Sequence, residues 1–319
     1  MKRREFLQAA AAFLGCLALG CPPAKASKGK DYYHILLLSD LHLPVRVQRW
    51  PKQAEQKEIW QKKLQLIKTV NSWDVDEAAL LGDFAAYTGC ETEFRAVDGY
   101  IGGLKFPYYA VAGNHDYFYK DEPSAKGKLV KCTKKHRKAK LLAFQKRYHL
   151  PRLYYARSVA GCRLLYLAPD GLNTYIDLSQ AQLDWLREEI AAHQHGPMLF
   201  FCHAPLLGTL RNYYKSINTP NFTAQPPDKL AKMLFDVPQG SLWLSGHTHT
   251  PPTEDSYADT AINRVNRNLV NIHNPCIDVP NIYTNSLFIY KDRIVVRTYD
   301  HSAKRWLSGI DRTFPFPGA

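Results

Sequence analysis

Ile35-Leu36-Leu37-Leu38-Ser39 runs directly into Asp40-Leu41-His42. Four aliphatic residues in a row are too few for a helix and suit a strand buried on both faces. The same arrangement of a short apolar run ending in polar donors recurs four times. Ala79-Leu80-Leu81 leads into Gly82-Asp83, and Val111-Ala112 into Gly113-Asn114-His115-Asp116. Phe200-Phe201-Cys202 leads into His203, and Trp243-Leu244-Ser245 into Gly246-His247-Thr248-His249. In an open α/β sheet, ligands bind beyond the carboxyl ends of the strands, so these loops are expected to converge on one site. The glycines at 82, 113 and 246 let the main chain turn sharply just before it.

Outward from these runs, short apolar segments alternate with longer mixed ones, the pattern of an α/β fold. Strands are expected over Ile35 to Ser39, Ala78 to Leu81, Tyr108 to Ala112, Tyr154 to Val159, Leu164 to Ala168, Met198 to Cys202, Leu242 to Ser245, Ser286 to Tyr290 and Arg293 to Tyr299. A helix is predicted from Ser179 to His193, with Ser179 and Gln182 as a capping box and Leu183, Leu186 and Ile190 on one face. Gln53 to Thr69 is a second, with Ile59, Trp60, Leu64 and Ile67 at helical spacing.

Of 319 residues, 45% are hydrophobic and 22% charged, which excludes collagen-like, coiled-coil and wholly disordered chains. The longest apolar stretch, Phe6 to Gly20, is interrupted by Gln8, so a polytopic membrane protein is excluded. The start of the chain reads as an export signal: Lys2-Arg3-Arg4, an apolar Ala9 to Leu19, and a small-residue cleavage site at Ala24-Lys25-Ala26. Arg3-Arg4 followed by Phe6-Leu7 resembles a bacterial twin-arginine signal, which implies the twin-arginine translocation machinery as a partner and a periplasmic or other extracytoplasmic location. Cleavage is expected after Ala26, leaving no transmembrane anchor; Cys21 offers lipoprotein anchoring as the alternative. Residues 27–319 then form a single domain.

The net charge is +13, and residues 1–26 carry four basic residues and one acidic, so +10 remains after cleavage. A basic surface attracts phosphates, nucleic acid or anionic lipid without choosing among them, and no specific nucleic-acid partner is indicated. Cys90, Cys132, Cys162, Cys202 and Cys276 are an odd number without paired spacing, so no disulfide framework is expected.

The aspartates, histidines and asparagine at the strand ends form a borderline-hard donor set suited to Mn, Fe, Co or Zn. Seven such ligands are too many for one ion and fit two if one carboxylate bridges. The order Asp-x-His, Gly-Asp, Gly-Asn-His-Asp, lone His, Gly-His-x-His, spanning Asp40 to His249, resembles the calcineurin-like metallophosphoesterases.

The resemblance implies a four-layer α/β/β/α sandwich and two divalent metal ions. One would take Asp40, His42, Asp83 and His249, the other Asp83, Asn114, His203 and His247, with Asp83 as the bridge. It also implies hydrolysis of a small phosphate-ester substrate by a metal-bridging hydroxide, with His115 as general acid and Asp116 fixing its orientation. Two departures from the family pattern stand out. Purple acid phosphatases, a branch of the family, lack the first His and carry a Tyr three residues after the bridging Asp. This chain has His42 and its Tyr87 lies four residues after Asp83, so no tyrosine ligand is expected; Phe84-Ala85-Ala86 stand where many relatives have a further acid or Asn. Within the family the motifs point to a phosphodiesterase, with a phosphomonoesterase or a lipid-linked pyrophosphatase as alternatives. A non-catalytic basic binding module for nucleic acid or anionic lipid is the reading of another class.

Tyr117, at the end of the Gly-Asn-His-Asp loop, and Arg211, Asn212 and Tyr213, in the loop after His203, are candidate substrate contacts. Lys120 to Lys140 carries nine Lys or Arg and reads as a solvated insertion, or else a phosphate-attracting lid.

Overall fold

The computed structural model describes residues 29–211 and 213–316. The proposed signal and Asn212 lie outside the described residues. The chain begins with β1 (Tyr33–Leu38), α1 (Gln53–Val70), β2 (Glu77–Leu81), α2 (Glu91–Ile101), β3 (Tyr108–Val111), the single turn α3 (Asn114–Tyr117) and α4 (Lys134–Arg147). The hairpin β4 (Tyr155–Val159) and β5 (Cys162–Tyr166) follows, then α5 (Gln180–Ala192), β6 (Met198–Phe201), α6 (Pro227–Met233) and β7 (Ser241–Ser245). Two short helices, α7 (Asp255–Ala258) and α8 (Thr260–Asn263), precede β8 (Leu269–His273), β9 (Tyr283–Ile289), β10 (Arg293–Asp300), β11 (Arg305–Trp306) and β12 (Arg312–Pro315).

These strands make two sheets. The first runs β11-β10-β9-β1-β2-β3, with β12 also paired to β10; the second runs β4-β5-β6-β7-β8. Period-two alternation divides each strand between two cores. Ile35 and Leu37 of β1 pack with Leu164, Tyr166, Leu199, Phe201, Leu242 and Leu244 of the second sheet. Leu36 and Leu38 face the other way, against Leu66 and Val70 of α1, Val97 of α2 and Leu141 of α4. Leu165, Phe200 and Trp243 on the far side of the second sheet meet Leu183, Leu186 and Leu230 of α5 and α6. The result is the α/β/β/α sandwich expected from the sequence, held by three apolar interfaces.

Four local expectations change. Lys134–Arg147 is a helix, capped by Thr133 accepting from the His136 N–H, so this half of the basic segment is not a solvated insertion. Arg137, Leu141, Phe144 and Tyr148 share its buried face; Lys134, Lys135 and Lys138 are exposed, while Lys140 turns inward to Thr88 O and Tyr119 O. β8 was not anticipated because Asn271 and His273 break its apolar run; Asn271 donates to Ser245 Oγ at 3.1 Å and accepts from the Leu206 N–H at 3.2 Å. The helix α2 was also not anticipated. Only half of the Ser179 capping box forms: Ser179 Oγ accepts from the Gln182 N–H, but the Gln182 side chain turns to Ala168 and Asp170.

Candidate metal centre

β1, β2 and β3 of one sheet and β6 and β7 of the other end at the same edge of the sandwich. Their loops bring Asp40, His42, Asp83 and His249 into one group and Asp83, His203 and His247 into a second, with donor atoms of each group within 4.8 Å of one another. The backbone there is unusual. Asp40, His42, Asp83, His247 and His249 all have positive φ, between 44° and 66°. Left-handed backbone costs an L residue about 1–2 kcal/mol, and a cluster of such residues marks a place where geometry is imposed for use. The loops also press together. A Cβ on Gly246 would sit 2.4 Å from Asp40 Oδ2, and one on Gly82 2.7 Å from His203 Nδ1.

Main-chain groups aim the imidazoles. His203 Nδ1 lies 2.7 Å from Leu81 O, His42 Nδ1 3.3 Å from Ala85 O, and His247 Nε2 2.8 Å from Asn221 O. A carbonyl only accepts, so each of these nitrogens carries a proton, and wherever the ring is neutral the other nitrogen keeps its lone pair. His42 Nε2 and His249 Nε2 face each other at 3.1 Å. Asp40 Oδ2 accepts from Ser39 Oγ and the His247 N–H, which leaves Oδ1 for the cluster, 3.0 Å from His249 Nε2. Asp83 Oδ1 accepts from the His115 N–H. Its Oδ2 lies 3.3 Å from His203 Nε2 and 3.9 Å from His42 Nε2, so a single oxygen faces both groups.

Several buried polar atoms here have no hydrogen-bond partner: Asp40 Oδ1, Asn114 Oδ1 and His203 Nε2. Orphaned groups in one place call for an ion. The protonation states agree. Burial holds His42 well below its usual range and lowers His247 to about 4, while His249 is also lowered, so all three are neutral. Burial opposes charge on Asp40 and Asp83, yet the surrounding imidazoles hold both carboxyls below the usual range. Burial also opposes charging His203, but Asp83 raises it to about 9, and its proton sits where a cation would. Neutral imidazoles and ionised carboxylates are what a divalent metal requires. The residues fit the group.

His115 lines the cavity above this cluster, its ring 5.1 Å from that of His42. Its Nδ1 is 2.7 Å from Tyr87 O, so Nε2 is the atom free to exchange a proton with a substrate. Asp116 does not orient it. The Asp116 carboxylate accepts from the Phe84, Ala85 and Gly113 N–H groups and so ties the β2 and β3 loops together. Tyr87 points its hydroxyl at the Gln48 N–H, 2.7 Å away, and is no ligand to the cluster.

The cavity over the site has a volume of about 860 Å³. Of the candidate substrate contacts among the described residues only Tyr213 lines it, its hydroxyl 3.3 Å from His249 O. Tyr117 is fully buried, with its hydroxyl donating to Tyr175 O, because the turn of α3 rotates it into the core and leaves Tyr119 facing the cavity. Arg211 is exposed and lies away from the cavity, with its N–H donating to Ser256 Oγ. The sequence reading missed Tyr175, Arg46 and Arg49 as lining residues. The last two follow Asp-x-His within ten residues, the one signal that pointed to them.

No curated protein matches the chain in sequence. Among solved structures, the purple acid phosphatase PPD1 from yellow lupin seeds aligns with a TM-score of 0.57 at 12% identity, over 92% of this chain and 55% of that one. The chain thus spans little more than half of the lupin enzyme's length. PhoD aligns with a TM-score of 0.55 at 10% identity, over 90% of this chain and 73% of that one. GAP50, the anchor in the inner membrane complex of Plasmodium, gives 0.54 at 10% identity, over 90% of both chains. At such identities these are likenesses of fold. In sequence, residues 33–251 match the calcineurin-like phosphoesterase family, a stretch that contains every donor of the cluster, and the chain belongs to that family.

Proposed function

We propose that the protein is an exported phosphodiesterase that works with two divalent ions. The observation that carries this reading is Asp83 Oδ2, which faces both donor groups at once. In this assignment Asp40, His42, Asp83 and His249 hold one ion and Asp83, Asn114, His203 and His247 the other. When bound, two such ions polarise the phosphoryl oxygen and acidify a water to a pKa of about 7.

The chain's own residues do the rest. In this reading the ester phosphorus sits beside Asp83 and Asn114, which line the cavity, and His115 Nε2 delivers a proton to the departing alkoxide. Tyr119, Tyr213, Tyr214 and Phe222 exclude water and pack against the organic groups of the ester. Arg49 has no carboxylate partner among the described residues, whereas Arg46 is paired with Asp278 at 3.0 Å. One guanidinium without a carboxylate partner, 3.4 Å from His249 Nδ1, suits a phosphodiester monoanion better than a monoester dianion, and the cavity is far larger than a phosphate alone requires. Residues 27–319 act as one domain after removal of the twin-arginine signal.

The test is a metal-reconstituted screen of mono-, di- and pyrophosphate esters, with the highest kcat/KM expected for a diester. Preference for a monoester or a pyrophosphate would replace the diesterase reading. Salt-dependent binding of DNA or anionic vesicles with no ester turnover would favour a binding module.

A further inference from the structure

Lys63 lies on the buried face of α1 beside Ile59, Leu66, Ile67 and Val70, and is itself fully buried. An apolar side chain is the usual occupant of such a face, and desolvating an ammonium costs several kcal/mol unless it is fully partnered. Its Nζ lies 2.7 Å from Leu41 O, 3.0 Å from His42 O, 3.0 Å from Pro44 O and 2.8 Å from Asp278 Oδ1. All three carbonyls belong to the loop that carries Asp40 and His42. Cys276 adds a fourth hold, its thiol 3.3 Å from Asp40 O. Asp278 is fixed in turn by Arg46 Nε at 3.0 Å and Trp50 Nε1 at 3.3 Å, both from the continuation of the same loop.

The loop needs holding, because Asp40 and His42 have φ of 51° and 44°. Relaxation of either residue to ordinary backbone would turn its side chain away from His249. We propose that Lys63 is a positioning residue, one that gives the ion of the Asp40, His42 and His249 group its affinity by clamping that loop from behind. The proposal rests on the dinuclear reading above. It is selective, because His203 and His247 of the other group are aimed by Leu81 O and Asn221 O, which Lys63 does not touch.

The experiment titrates metal-stripped, full-length protein with Mn(II), following stoichiometry by calorimetry and coupling between ions by electron paramagnetic resonance. Lys63→Met should keep one ion at wild-type affinity and bind the second about 10–100-fold more weakly. At substoichiometric Mn(II) its spectrum should be that of isolated ions. Two ions bound within twofold of wild type would overturn the proposal. So would equal weakening of both, which would make Lys63 a residue of the fold alone. If Lys63→Met fails to fold, Asp278→Asn keeps the three carbonyl contacts and should weaken one ion to a smaller degree. Unchanged affinities in that variant, or its failure to fold as well, would also overturn the clamp. Wild-type protein that binds fewer than two ions would instead remove the dinuclear reading itself.

Discussion

Asp83 shows how much one residue can be asked to do. Its Oδ1 is held by the His115 N–H and its Oδ2 faces His203 and His42 across the junction of the two sheets. Asp83→Asn should therefore lose both ions and turnover together, and an active variant retaining two tightly bound ions on metal analysis would remove Asp83 as the shared ligand. His115 behaves differently because its side chain is anchored to Tyr87 O and not to the donor cluster. His115→Ala should keep both ions and lose about 10²–10⁴-fold in turnover for esters with poor leaving groups, but less for good ones. An equal loss for both kinds of ester would exclude proton donation.

His34 lies at the start of β1, the end of the strand away from Asp40, stacked on Phe288 with ring centroids 4.4 Å apart. Burial first, and then the charge of Lys30, lower it to about 4 against the opposing pull of Asp74 and Asp76. Its folded value lies below its unfolded one, so the neutral ring's contribution to stability is intact above pH 6.5 and is lost as pH falls towards 4. His34→Gln should flatten the fall of the urea midpoint between pH 7 and pH 5. The donors were legible in the sequence because each side chain ends a strand and has a chemical type. What aims them was not, because Leu81 O, Ala85 O and Asn221 O are main-chain groups that any residue supplies.

At the scale of elements, the segment after β2 organises the others. Leu81 O, Ala85 O and Tyr87 O orient His203, His42 and His115, and the Phe84 and Ala85 N–H groups tie to Asp116. Phe84-Ala85-Ala86 therefore need no acidic side chain, since the main chain makes the contacts. The basic segment divides along similar lines. In α4 the guanidinium of Arg137 stacks over the Phe118 ring at 3.5 Å and Leu141 and Phe144 enter the core, a face that seven lysines and arginines had concealed. Lys131, Lys134, Lys135 and Lys138 stay exposed. Neutralising these four should lower kcat/KM at 0.01 M salt and have little effect at 0.15 M, as the Debye length falls from about 30 Å to about 8 Å. Equal kcat/KM for the variant and wild type at both salts would assign the charge to solubility. Alternation made most strands readable. It failed at β8, where buried Asn271 and His273 are satisfied by partners distant in sequence.

Across the whole molecule, the donors are divided between the sheets: Asp40, His42, Asp83 and Asn114 follow strands of the first, and His203, His247 and His249 follow strands of the second. The layered architecture could be read from short apolar runs, but this division could not, because no local pattern says which strands pair. It has a mechanical consequence. Ions shared by both groups would cross-link the two sheets at one edge, where a few hydrogen bonds otherwise join the loops, among them those of Asp40 with His247 N–H and of His203 with Leu81 O. Ligand that binds only the folded state stabilises it by about 2.7 kcal/mol at a concentration 100 times its Kd. Chelation should therefore lower Tm, and added metal should restore it in a concentration-dependent way. Amide exchange should then quicken at the ends of β1, β2, β6 and β7 next to the cluster. The opposite ends of the same strands, where Tyr33 of β1 and Leu242 of β7 are packed into the inter-sheet core, should keep their protection. An unchanged Tm, or exchange that quickens evenly along both sheets, would mean that the apolar interface alone joins them and that the metal centre rests on a scaffold already complete.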